Sequence, residues 1–312
     1  MSDTGNKKTS SVPNVTTTPE QANEPSAMSA MRRRVFGHYG IIIGGAILLL
    51  IFGMAIFAPY LTNFHPTLDQ DLSNKMVPPM WHDGPKVNPV HPLGTDLQGR
   101  DYLTRLVHGA QISLLIGFAA MLISGVIGTT LGVAAGYFGG RVDMVVNYLI
   151  TVRLSMPVIL VALAVVSLVG SSLWIVIWVL GLLIWDRFAV VMRSTTLQVR
   201  NLDYVAAAQA AGCSKFRIIM TEIMPNIANH LIVVATLEMA HAILLEAALS
   251  FLGLGVQPPA PSWGLMISEG KGMMFFDPWL VGIPGAALFA LILAINLLGD
   301  GIRDVTAPEN RN

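Results

Sequence analysis

Six long apolar runs constrain this chain more than any other feature; they lie near residues 39–59, 111–135, 144–168, 172–192, 228–250 and 279–299. Each can cross a hydrocarbon core, which takes about 20 helical residues. A lipid-embedded backbone has no water to bond, so such runs must be helical. The expected fold is all-α, a polytopic membrane protein with six transmembrane helices. Hydrophobic residues are 53% of 312, charged residues only 12%, and mean hydropathy is +0.61. Those values exclude an ordinary soluble domain. Formal net charge is zero, so nothing electrostatic points to nucleic acid. The single Cys213 cannot form an internal disulfide and suits the reducing side of a membrane, as a small inert residue after a glycine.

The polar parts set the expected topology. Residues 1–30 are rich in Ser, Thr, Asn, Pro and Glu and can bury too little apolar surface to fold. Segment 1–37 is therefore expected as a disordered cytoplasmic tail, 38–305 as the membrane domain and 306–312 as a second cytoplasmic tail. Arg32, Arg33 and Arg34 resemble the basic flank of a signal peptide, but the apolar run that follows is long and begins far from the start, which predicts an uncleaved anchor. With the amino terminus inside, Lys7, Lys8, Arg32, Arg33, Arg34, Arg141, Arg193, Arg200, Lys215, Arg217, Arg303 and Arg311 all fall on the cytoplasmic side. Lys75, Lys86, Arg100, Arg105 and Lys271 fall outside, four of them in the long loop 60–110, where charge bias matters least. Both termini are then cytoplasmic.

Between the fourth and fifth runs, residues 193–226 read RSTTLQVRNLDYVAAAQAAGCSKFRIIMTEIMPN. After Asp203 and Tyr204, residues Ala206, Ala207 and Ala208 begin a small-residue stretch that continues through Ala210 and Ala211. Alanine has the best helix propensity and the smallest side chain, so another surface can approach this helix closely. Gly212 permits a left-handed turn. Ile223, Met224 and Pro225 close the segment, with Pro225 suited to the first turn of the next helix. Taken alone, such a stretch also fits a plain amphipathic connector.

The order of these residues resembles the EAA loop of ABC importer permeases, the part gripped by the ATPase subunit. A second segment, His91–Leu114, reads HPLGTDLQGRDYLTRLVHGAQISL and is similar to the LGTDxxGRDxxSRLxxGARxSL stretch of the C-type (DppC/OppC-like) permease subunits of dipeptide and oligopeptide importers. GYFGGRVD at 136–143, EAALSFLGLGVQPPAPSWGLM at 246–266 and NLLGDGIRD at 296–304 resemble the same family, so the likeness covers about residues 38–305. It departs at Ala206, where the family carries an acid, and at Tyr148 and Thr151, where an Arg and an Asp are usual; Arg153 stands nearby. The resemblance implies the ABC type I importer permease fold and half of a translocation pore for di- or oligopeptides. It also implies partners: a second, B-type permease, one or two ABC ATPases, an extracytoplasmic substrate-binding protein and membrane lipid. The implied location is the bacterial cytoplasmic (inner) membrane. No cofactor is implied for this chain, since ATP and magnesium belong to the ATPases. Nickel, glutathione and opine importers share this permease type.

Other charged groups have two readings each. Asp96, Arg100, Asp101 and Arg105 can form an ion-pair clamp that pins the external loop to the bundle, or a substrate site. Glu238, His241 and Glu246 are ionisable groups at or near membrane depth, spread over about 140° of one helix. They border a translocation path or gate, or bond neighbouring helices, with Glu246 in the outer headgroup zone. Glu238 and His241 would also serve a proton-coupled secondary transporter. Gly128, Gly132 and Gly136 recur on one face and predict close helix packing. The chain has no phosphate-binding loop, no H-E-x-x-H pair and no G-x-S-x-G elbow, so it is expected to be a transport subunit and not an enzyme. His65, His82, His91 and His108 lack metal-ligand spacing and read as solvated loop residues.

Overall fold

The computed structural model describes residues 36–82 and 85–306. The expected disordered tail, the arginines at 32–34, Lys7, Lys8 and Arg311 fall outside the described residues, apart from Phe36 and Gly37. In chain order come α1 (Tyr39–Ile56), α2 (Ala58–Leu61), a 3-10 turn (Leu72–Asn74), α3 (Tyr102–Phe138), α4 (Gly140–Leu154) and α5 (Val158–Val169). These are followed by α6 (Leu173–Leu183), α7 (Asp186–Arg200), α8 (Asp203–Ala210), α9 (Lys215–Ile218), a π-helical turn (Ile219–Ile223) and α10 (Met224–Phe251). The chain ends with α11 (Trp263–Gly270), a 3-10 turn (Lys271–Met273) and α12 (Trp279–Thr306).

Among the described residues, five segments are long and apolar enough to cross a membrane: α1, α3, Leu173–Arg200, Lys215–Phe251 and α12. The third expected run is not one rod. α4 and α5 meet at 82° and make a sixth span only when taken together. The break falls at Pro157, which precedes α5 and has no N–H to continue the ladder of α4. α3 is also longer than expected and begins inside the segment read as loop, at Tyr102. Its start is fixed by Asp101, whose carboxylate accepts from the Thr104 amide at 2.8 Å and so satisfies one of the free donors of the first turn.

α3 is the central element and packs on α6, α7 and α10, while α1 packs on α12. Its glycine face is the reason it approaches α7 so closely. A Cβ at Gly128 would stand 2.3 Å from the Trp185 carbonyl, and one at Gly132 would stand 2.5 Å from the Ala189 carbonyl. No side chain fits such gaps, so the stripe is a packing device. One apolar core gathers Ile51, Tyr102, Trp263, Leu280 and Ile295 toward the loop end of α3; another gathers Ile116, Val166, Ile177 and Leu249. A third, with Met192, Val205, Ile218, Ile223 and Ile227, lies at the opposite end. Leu49, Leu168 and Phe289 instead point outward and exposed, as a lipid-facing or partner-facing belt requires.

Candidate functional site

At the hinge, local sequence accounts for the shape. α8 has Asp203 in its first turn, where a carboxylate meets the positive end of the helix dipole. Val205 is fully buried in the third core, and Ala208 packs against that core. Tyr204, Ala206, Ala207, Ala210 and Ala211 are exposed. The small-residue face is therefore anchored from one side and uncovered on the other. Gly212 has φ +78° and ends the helix; the Gly212 amide donates to the Gln209 carbonyl and the Cys213 amide to the Ala208 carbonyl. An added Cβ at Gly212 would meet nothing within 4 Å. What restricts position 212 in this chain is thus backbone strain and not lack of room. Ser214 then caps α9 through the Arg217 amide at 3.3 Å. Ile223 is fully buried, and Pro225 sits in the first turn of α10, where the helix passes from π to α geometry.

Three of the four expected clamp residues, Asp96, Arg100 and Arg105, lie in one ion-pair network. Asp96 accepts from Arg100 Nε and from Arg105 Nη1, each at 2.6 Å. Glu269 of α11, unremarked in the sequence, completes it: Arg105 Nη1 donates to Glu269 at 2.6 Å and Arg100 Nη2 at 3.2 Å. Both arginines are at least 96% buried. A cavity of about 120 Å³ lies beside them, lined also by Tyr102 and Leu280. Asp101 is not part of this network. It caps α3 and bonds His91 Nδ1 at 2.9 Å, so His91 is a buried structural residue and not a solvated one. In the preceding loop the Ser73 hydroxyl, then the Asn74 side chain, holds the Asp71 carboxyl below the usual carboxylate range.

The three intramembrane candidates do not converge on one cavity. Glu246 is fully buried; its Oε1 accepts from Ser250 at 2.7 Å and from Ser262 at 2.9 Å. Ser262 in turn caps α11, so Glu246 ties α10 to the start of α11 and does not face outward as a headgroup contact would. Glu238 is also buried, but it accepts from Arg187 Nη1 at 3.1 Å and meets His241 Nδ1 at 3.3 Å. Arg187 escapes sequence inspection because the 172–192 run reads as a uniform span, although Asp186 and Arg187 interrupt it. Arg153 reaches the Leu183 carbonyl across the break in span four and lies 3.8 Å from Asp186. A separate apolar groove of about 1020 Å³ runs between α3 and the α9–α10 segment, past Gly125, Val133, Phe216 and Met220; none of the three ionisable candidates lines it.

A helical bundle of membrane-spanning length is the frame on which transport permeases are built. The family of binding-protein-dependent transport system inner membrane components matches residues 128–312, and the N-terminal transmembrane domain of oligopeptide transport permease C matches residues 26–79. The chain belongs to this family of inner membrane components. It is 38% identical over 86% of its length to the dipeptide transport system permease protein DppC of Haemophilus influenzae, covering 90% of that protein. It is 37% identical over 89% of its length to the di/tripeptide transport system permease protein DppC of Pseudomonas aeruginosa, covering 91%. Likewise it is 34% identical over 89% of its length to the glutathione transport system permease protein GsiD of Pectobacterium atrosepticum, covering 89%. The inward-facing MetNI methionine ABC transporter matches in fold, with TM-score 0.55 and 18% identity, over 65% of this chain and 97% of that one. The fold is that of a type I ABC importer permease.

Proposed function

We propose that this chain forms half of the pore of a peptide importer in the bacterial inner membrane. Its companions are a B-type permease, one or two ABC ATPases and an extracytoplasmic binding protein that delivers the cargo. The observation that carries the reading is the hinge. An ATPase can seat on the exposed alanines of α8, whose side chains are single methyl groups, and Val205 and Ile223 root this segment in the bundle core. Both termini and the 193–227 loop are cytoplasmic in this reading, which follows the arginine and lysine bias. ATP and magnesium stay on the ATPases. Nucleotide and cargo each favour one conformation of the same bundle, and the hinge couples the two equilibria. The permease names of the dipeptide relatives support a peptide as cargo. The glutathione relative favours a second reading, in which the cargo is that tripeptide.

The test is uptake of labelled dialanine and of glutathione into liposomes that carry the full importer, with ATP and the binding protein supplied. Peptide uptake that stops without ATPase subunits is the expected result. Uptake that survives their removal would instead identify a proton-coupled carrier.

A further inference from the structure

Arg187 is exposed within an apolar run. It lies in the last third of the run 172–192, five residues before its end, yet its side chain is 59% exposed, while its partner Glu238 is 1% exposed. A guanidinium turned to acyl chains at that depth is strongly disfavoured, so this surface faces protein or water in the assembled pore. Of the five N–H donors of arginine, one is engaged among the described residues, the Nη1 bond to Glu238. His241 holds the other Glu238 oxygen.

The surroundings are those of a site and not of a plain packing contact. Arg153, Asp186, Arg187, Glu238 and His241 form a polar string across spans three, four and five. Two of those spans are interrupted at this level, span three before Pro157 and span four at Ile184–Trp185, where Arg153 takes up the freed Leu183 carbonyl. Interrupted helices with polar groups at membrane depth build the cargo sites of many secondary transporters, and the same physics applies to any pore. We infer that Arg187 is the point where this subunit meets a carboxylate of its cargo, through the guanidinium donors that Glu238 leaves free. For a peptide this is the C-terminal carboxylate; Glu238 and His241 are positioning residues that hold the guanidinium. The inference rests on the peptide-import reading above.

The test uses the full importer in liposomes, with dialanine and dialanine amide each presented on saturating binding protein. Losing a charge-assisted bond should cut dialanine uptake by about tenfold or more in Arg187→Gln. The slower amide uptake should barely change, and Arg187→Lys should recover part of the loss. A second measurement needs no amide. In a Cys213→Ser background, the thiol introduced by Arg187→Cys should react with a membrane-impermeant reagent, as a cargo-accessible position requires. Equal loss on both peptides, full activity of Arg187→Gln, dissociation of the B-type permease, or a thiol that never reacts would each overturn the inference. Dissociation would assign Arg187 to a subunit contact. If the unaltered importer hydrolyses ATP but moves neither peptide, the peptide reading falls first and the cargo carboxylate with it.

Discussion

Gly212 is the residue at which backbone conformation and coupling meet. At φ +78° an L side chain is strained by about 1–2 kcal/mol even where space is free. Gly212→Val is therefore expected to lower peptide uptake per ATP hydrolysed, and Gly212→Asn should do so less, since asparagine tolerates this conformation. Measuring both rates in one preparation checks it; a normal ratio in the valine variant would remove the hinge from the mechanism. This residue was legible because a glycine after an alanine-rich helix has a local cause. His91 and Asp101 were not. Their bond joins residues ten apart in sequence, and it turns a loop histidine into a buried one and an apparent clamp acid into a helix cap.

Among the elements, the clamp between the start of α3 and α11 separates two magnitudes. Asp96 is buried and serves both arginines, so Asp96→Asn leaves charge uncompensated inside and should destabilise the folded bundle by about 3–5 kcal/mol. Glu269 is partly open to solvent, at 21%, so water can take up part of the charge left by Glu269→Gln and the loss should be smaller. Thermal unfolding of the purified complex in detergent distinguishes them; equal shifts would mean that the carboxylates share the load. The Asp96–Arg100 pair could be read from its four-residue spacing. Glu269 could not, because it arrives from 164 residues beyond Arg105, a contact that only the packing of α11 creates. The same limit applied to the third run, where Pro157 was visible but the 82° turn it permits was not.

For the molecule as a whole, side of membrane is the property to measure. Cys213 is the single thiol and is half-buried beside the hinge. An impermeant maleimide should label it in inside-out vesicles and leave it untouched in intact cells; the reverse pattern would put the alanine face beyond reach of any ATPase. Apolar run length revealed the bundle and its class, since span length follows from bilayer thickness. The level at which charges cross from helix to helix stayed hidden, because each contributor, Arg153, Arg187 or Glu238, looks like an isolated anomaly in its own run.

The 37 residues of α3 carry a last consequence. At 1.5 Å per residue the rod is about 55 Å long, far more than the roughly 30 Å of a hydrocarbon core. One tip carries Arg105 in the clamp, and the other brings Gly136 against Thr196 at the far end of the bundle. If so long a rod tilts as one body about its middle, its two tips move in opposite directions, and a push at one end is felt as a pull at the other.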